Sequence, residues 1–371
     1  MQPFIRVTGV ILGTLRAEYR QLANRYLRKV PHFEGDATQI CTKIVEQLWE
    51  GNFYRTSLGH FDFFWMRDFG TVCESLVALG HTERVHHTLR WALRHYRKSG
   101  HVTLCIDKAG HCFNAPGKSI DALPWLLHSI VMSDYELNKA DRQFLNRILR
   151  RYAHNHLDTH GYIKERARHA EMRDAVIYDR SAYAVTLVAR LAVCAKQLEL
   201  NWPYAVDQYQ HHLLHHYWNG HYFNADYHND AFSAECALFP FYLNIITDTQ
   251  MVAQTLAYIE KQRLNQPYPL IYTKTPERFR YHWWMTKPWM PDYQGATIWS
   301  WHGEYYLHLL RRYRHTHYAR EYEKFSRMIE LHGMFPEILT IDGSWYNAPV
   351  YRGDPGMVWA ALYLELPKPR P

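Results

Sequence analysis

From about residue 39 onward, apolar residues recur three and four positions apart in one segment after another, and period-two alternation is nearly absent. The spacing predicts helices over roughly 39–50, 69–79, 82–98, 121–133, 138–156, 180–199, 203–217, 231–246, 249–262, 295–314, 317–333 and 355–364. Twelve helices make six pairs. Turns within a pair are short and carry turn formers such as Gly80-His81 and Ser133-Asp134. Connections between pairs are long and lead into the helices near 69, 121, 180, 231, 295 and 355, which are also the more apolar. A repeated helix hairpin with its long loops at one end is the pattern of a toroid or a solenoid. The pairs share little beyond loop polarity, which argues against an open solenoid. The expected fold is therefore all-α: an (α/α)6 toroid of two concentric rings over 39–371, the even-numbered helices innermost. A helical extension over 1–38, with an amphipathic helix Leu15–Leu27 and a linker bearing Pro31, precedes it.

Polar residues collect in the long connections: Arg67-Asp68, Ile120-Asp121, Arg173-Asp174, Asp226 to Asp230, Asp292-Tyr293-Gln294, and Glu337 with Tyr351. Asp68, Asp121 and Asp174 are spaced by 53 residues each. The first of these loops is the densest, with Phe63-Phe64-Trp65 running into Arg67-Asp68 where a helix begins. An N-cap salt bridge beside a core aromatic cluster accounts for such a stretch. So does a polar grip set in an aromatic wall, which suits a neutral polyol such as a sugar.

Composition sharpens the choice. The 371 residues include 13 Trp, 28 Tyr and 16 Phe, enough to line a deep cleft as well as fill a large core. A formal charge of +7, spread along the chain without a dense Lys/Arg block, gives no argument for nucleic acid. The six scattered cysteines contain no CxxC pair and read as buried free thiols in a reducing compartment. The run Val7–Leu15 lacks a small-residue cleavage site, and no span approaches the ~18 apolar residues of a membrane helix. A cytoplasmic location without membrane partners is the expectation. The run His211-His212-Leu213-Leu214-His215-His216 has metal-compatible i, i+4 pairs but no carboxylate to complete a site, so it reads as a solvated helix face. Neither a metal nor a cofactor is expected. The tract Tyr281-His282-Trp283-Trp284, with Trp289, is expected to form part of a cleft wall.

Glycoside hydrolysis needs two carboxyl groups, one protonated for the leaving oxygen and one ionised on the other face of the sugar. The connection into the sixth helix offers Glu165, Glu171, Asp174 and Asp179 among Arg166, Arg168, Arg173 and Arg180; the last long connection offers Glu337 after Phe335-Pro336. Structural roles compete with each. Asp179 falls in the N-cap region of the sixth helix, Asp174 can pair with Arg173 at the surface, and Asp121 reads first as an N-cap.

Several stretches resemble known motifs. Trp65-Met66-Arg67-Asp68-Phe69 resembles the WxRDF segment of neutral invertases and its counterparts in glycogen-debranching glucosidases and glucoamylases. Ile120-Asp121-Ala122-Leu123-Pro124-Trp125 is similar to their (V/I)DSxxWW segment, and Met172-Arg173-Asp174-Ala175 resembles the acid-bearing segment before the sixth helix. Tyr293-Gln294-Gly295-Ala296-Thr297-Ile298-Trp299 resembles the opening of the tenth helix; Phe335-Pro336-Glu337 and Tyr351–Trp359 resemble the ending that carries the second carboxylate. The resemblance, in order over 60–364, implies a barrel hydrolase acting on a small oligosaccharide or glucoside with α-linked glucose-type units, with inversion. It implies Asp174 as acid and Glu337 as base. Arg67, Asp68 and Asp121 would hold sugar hydroxyls and Trp65, Trp125, Trp299, Trp301 and Tyr351 would supply walls; Arg173, Gln294 and His302 complete the candidate binding set. Two departures matter. Asp179-Arg180-Ser181 replaces the PxEIQ segment, and because trehalases place their acid just before a Ser-rich helix start, Asp179 rivals Asp174. The β-sandwich that precedes the barrel in debranching-type glucosidases and glucoamylases has no room in 38 residues, so linkage and chain-length preference do not transfer. Two other readings stand beside hydrolysis: a sugar epimerase or isomerase using His302 and His228, and a non-catalytic carbohydrate-binding protein.

Overall fold

Helix pairs alternate with long connections through the computed structural model, which describes residues 19–369 apart from 24, 28, 116, 166–168 and 283–288. From residue 37 on, the described residues contain twelve α-helices: α1 (Ala37–Gln47), α2 (Met66–Ala78), α3 (Thr82–Ser99), α4 (Ala122–Met132), α5 (Lys139–His156), α6 (Ala182–Gln197), α7 (Val206–His216), α8 (Ala234–Tyr242), α9 (Thr249–Lys261), α10 (Ser300–Arg312), α11 (Tyr318–His332) and α12 (Ala360–Glu365). The even-numbered helices touch in turn, α2 to α4, α4 to α6, α6 to α8, α8 to α10 and α10 to α12, and α12 closes the ring against α2. The odd-numbered helices lie outside, and α1 packs on α12 so that the two ends of the barrel meet. The fold is an (α/α)6 barrel, as the alternation of gaps predicts.

The two rings differ in sequence for a physical reason. An inner helix is covered on every side, so α4 is buried continuously from Ala122 to Ile130 and α8 along its whole length. An outer helix faces water on one side. In α3 only the stripe Val85, Leu89, Trp91, Ala92, Leu93 and Tyr96, with Thr88, is buried, and its Arg and His residues cover the other face. All six cysteines are free thiols, and five are fully buried. Among the described residues no helix is long and apolar enough to cross a membrane.

The inner helices near 231, 295 and 355 begin later than the periodicity suggests, at 234, 300 and 360. The residues before them are extended and pair across the mouth of the barrel. Strand β4 (Ile298–Trp299) pairs antiparallel with β5 (Ile338–Leu339), and Gly356 and Met357 bridge to Phe335 and Ser57. On the opposite side β1 (Phe64–Trp65), β2 (Cys105–Ile106) and β3 (Cys112–Phe113) form a small antiparallel sheet, and β1 runs straight into α2. These short ladders give long loops a fixed backbone, so side chains at the tops of α2 and α10 are held by two partners rather than one. The described part of the N-terminal extension, helical at 19–23 and 25–26, lies on the same end. There Arg20 pairs with Asp62 at 2.5 Å, Arg25 Nε donates to the Ala348 carbonyl and Tyr26 Oη to the Pro349 carbonyl. Val7 to Leu15 and Trp283-Trp284 lie outside the described residues, and Trp289 is half exposed.

The inner ring is closely packed where α2 meets α4. A methyl at Gly70 would sit 2.6 Å from Trp125 Cβ, well inside contact distance. Gly70→Ala is therefore expected to destabilise the protein by about 1–3 kcal/mol despite the better helix propensity of Ala. Chemical denaturation checks this, and a stability gain would contradict the packing described.

Candidate active site

Arg67 stands in the first turn of α2, where β1 delivers it into the mouth of the barrel, and its guanidinium is almost wholly buried. Such a charge requires partners. Nε donates to Asp121 Oδ2 at 2.5 Å, while Nη1 and Nη2 face the two oxygens of Asp174 at 3.3 and 3.4 Å. Three consecutive long loops are thus joined by one side chain. Asp121 occupies the N-cap position of α4 but makes no side-chain cap; besides Arg67 it accepts from Ser119 Oγ at 2.5 Å and Tyr183 Oη at 3.0 Å. It is fully buried, so it orients Arg67 rather than lining a surface. Asp174 is different: its side chain keeps 17% exposure. Burial pushes its carboxyl up to about 6 against the pull of Arg67, with the Asp121 charge adding to the rise.

Asp68 does not share the Arg67 fork. Its Oδ1 accepts from Trp359 Nε1 at 2.9 Å, which ties the first turn of α2 to the residue before α12. Burial lifts this carboxyl to about 7, opposed by Arg67 and the Trp359 bond. Trp359 in turn stacks on Trp301 with ring centroids 4.2 Å apart.

Glu337 lies on the other side of the mouth, just before β5. Tyr351 Oη donates to Oε1 at 2.6 Å and the Asp354 amide to Oε2 at 2.8 Å. Burial raises the carboxyl to about 8; these two donors lower it, and the Asp354 and Asp68 charges raise it further. The Tyr293 phenol feels both Glu337 and Asp174, and its ring packs on Tyr351 at 4.9 Å and on Trp299 at 5.5 Å. Asp174, Asp68 and Glu337 are therefore within electrostatic reach of one another or of Tyr293 at this rim. Trp65 Nε1 and Trp301 Nε1 are buried donors with no hydrogen-bond partner among the described residues.

Other candidates from the sequence have different surroundings. Trp125 is fully buried and donates to Tyr183 Oη at 3.1 Å, so it supports Asp121 from beneath and offers no face for stacking. Arg173 points away from Asp174 rather than pairing with it. It is fully buried over the Phe279 ring at 4.0 Å, and donates to the Gln294 carbonyl at 2.7 Å and to Tyr281 Oη at 2.8 Å. Gln294, at φ +53°, accepts from the Ala175 amide at 2.7 Å and so fastens the loop that carries Asp174. Trp299 Nε1 donates to Thr297 Oγ1 at 3.2 Å, leaving its ring to pack on Tyr293. His302 is sealed inside α10 with its ring against Tyr272, and His228 is two-thirds exposed beside Asp179, so the two do not form a base pair in one pocket. Asp179 faces His228 at 3.3 Å and Arg180 at 3.6 Å. The cap of α6 is Ser181, not Asp179: its hydroxyl accepts from the Ala184 amide and donates to the buried Glu171. Glu165 is exposed at the surface beside Arg180.

Sequence reasoning passed over Tyr183, Trp359, Asp354, Ser57 and His60. Tyr183, on α6, reads as one more core aromatic. His60 sits in Gly59-His60-Phe61 with no periodic or motif signal. Asp354 was visible only as part of the loop after Tyr351. Among the described residues no group of three or more His, Cys, Asp or Glu side chains is placed to hold a metal ion.

No family model and no curated protein sequence matches the chain. Solved structures do match in fold. A glycosidase in complex with glucose superimposes with a TM-score of 0.67 at 10% identity, covering 89% of this chain and 94% of that one. A GH63 mannosylglycerate hydrolase from Thermus thermophilus, complexed with Tris and D-glycerate, gives 0.55 at 11% identity over 89% and 99%. A bacterial glucoamylase complexed with acarbose gives 0.60 at 12% identity over 89% and 54%. The barrel is thus the fold of (α/α)6 glycoside hydrolases.

A buried acid with a raised pKa leaves a signature in stability. Between about pH 4 and pH 7 folded Asp68 keeps a proton that the unfolded chain has released, so its contribution to stability falls as pH rises through that window. The melting temperature of Asp68→Asn, compared with the unsubstituted protein, is expected to rise steadily from pH 4 to pH 7 and then level off. Differential scanning fluorimetry across that range measures it, and a difference independent of pH would count against a protonated Asp68.

Proposed function

We propose that the protein is an inverting, exo-acting glycoside hydrolase that removes an α-linked glucosyl unit, with Asp174 as general acid and Glu337 as general base. The observation that supports this reading is that both carboxyls act electrostatically on the Tyr293 phenol while each stands in a different polar setting. Asp174 is partly open to solvent and has Arg67 on one edge, so a proton can sit on its free side and pass to a glycosidic oxygen. Glu337 is held by two donors that favour its ionised form, as a base that takes a proton from water requires. In this reading Asp68 accepts from a sugar hydroxyl through the oxygen that Trp359 does not use. The fold shared with a glucose-bound glycosidase and a glucoamylase supports a hexose in this space. The water-side carboxylate and the acid act on opposite faces of the anomeric carbon, which breaks its bond to the leaving oxygen as the water oxygen bonds to it.

The two carboxyls titrate in an informative order. With Asp174 near 6 and Glu337 near 8, the proton rests mostly on Glu337. The working state, protonated Asp174 with ionised Glu337, is then the minor form of the singly protonated enzyme.

Glucose release from trehalose, sucrose, maltose, isomaltose and glucosylglycerate, read by the anomer first formed, tests the reading. Inversion and a substrate among these are expected. Glu337→Gln and Asp174→Asn should each lower turnover by about 10²–10⁴-fold while ligand binding persists. An unchanged rate in Glu337→Gln would sink the assignment. The kcat/KM profile should be bell-shaped with limbs near pH 6 and pH 8, the upper one belonging to Glu337.

A further inference from the structure

His60 is 2% exposed, in the loop between α1 and β1, and hydrolysis as described gives it no part. Its surroundings are those of a built site. Nε2 lies 3.1 Å from Tyr351 Oη, the same hydroxyl that is 2.6 Å from Glu337 Oε1. Nδ1 lies 3.5 Å from Asp354 Oδ2. Asp354 is fully buried and fixed by Ser57 Oγ at 2.5 Å, the Gly59 amide at 3.1 Å and the Gly356 amide at 3.2 Å. A side chain at position 59 would run into this carboxylate, so glycine there is what allows the loop to bring His60 and Asp354 together. The imidazole is flanked by the rings of Phe61 at 4.1 Å and Tyr351 at 4.9 Å. Among the described residues, the titratable and charged groups facing it include Asp354 and Tyr351, then Glu337 and Tyr293 beyond Tyr351, with Arg352 within electrostatic reach of Asp354.

We propose that His60 is a positioning residue for Glu337, accepting through Tyr351 the proton that Glu337 takes from the attacking water, with the Asp354 carboxylate beside Nδ1 stabilising the imidazolium that forms. The inference rests on Glu337 as the base. At the end of the chemical step Glu337 is a neutral acid donating to Tyr351 Oη, Tyr351 donates to Nε2, and His60 carries its single proton on Nδ1 toward Asp354. The Glu337 proton then moves to Tyr351 as the Tyr351 proton moves to Nε2. Glu337 returns to carboxylate, Tyr351 remains a phenol, and His60 becomes an imidazolium beside the Asp354 carboxylate, which later gives its proton to solvent. The 2.6 Å contact holds a proton in both arrangements, which two bare oxygens at that distance require. Burial favours the protonated form of Glu337, so a receiver behind it is what makes the base available.

His60→Gln keeps a donor to Tyr351 but cannot accept a proton. We expect it to lower kcat about tenfold or more at unchanged KM, and to move the upper limb of the kcat/KM profile to lower pH, because the singly protonated enzyme loses one of the two sites that hold its proton. His60→Phe should show the same shift. A Gln variant with the parental profile would overturn the relay. Imidazole NMR of the 15N-histidine-labelled protein, with His60 assigned by its loss in His60→Gln, gives a readout that needs no turnover. Coupling predicts that the His60 titration changes in Glu337→Gln and Tyr351→Phe; a titration identical in all three overturns the proposal. If no glycoside is cleaved while the coupling is present, the hydrolase reading fails and the proton link stands.

Discussion

The clamp of Arg67 between Asp121 and Asp174 is the constraint on which the rest of the site depends. A guanidinium this far from water is tolerable only when its charge is met, and here the two carboxylates that meet it come from loops 54 and 107 residues further along the chain. The barrel brings those loops to one rim. Because one of the two partners is fully buried and the other partly open, the pair is unequal: Asp121 is the anchor, and Asp174 remains available to another molecule. Removing Asp121 would therefore leave Arg67 held only by its longer contacts to Asp174, and loosen the place of both.

Two acids of raised pKa stand in differently built surroundings across this rim. One is tuned by a cation on its edge, the other by a phenol and a backbone amide. That asymmetry, more than the burial they share, is what the proposed division into acid and base rests on.

The architecture was legible because its signals are local and repeated: helical period, short turns inside pairs, long gaps between them. Arg67, Asp68, Asp174, Glu337 and Tyr351 were legible because they fall in those gaps. What the residues face was not. Trp125 and Trp301 look alike in the chain, yet one is locked under Asp121 while the other has a buried indole N–H without a partner among the described residues. Arg173 adjoins Asp174 but belongs to a cage of Phe279, Tyr281 and Ser233 contributed by later loops. Likewise, the late starts of α8, α10 and α12 reflect extended segments engaged by distant partners, which override helical periodicity. His60 lies 291 residues from Tyr351, and no local pattern carries information over that span.

The bond from Trp359 to Asp68 joins the first inner helix to the last across 291 residues of chain. During synthesis at about 5–20 residues per second, Asp68 waits roughly 15–60 s before its partner exists. Through that interval the ring is open, and a carboxyl destined for a dry interior remains at an unsealed edge. The acidic rim is thus also the seam of the barrel. It cannot close before Trp359 has been added to the chain.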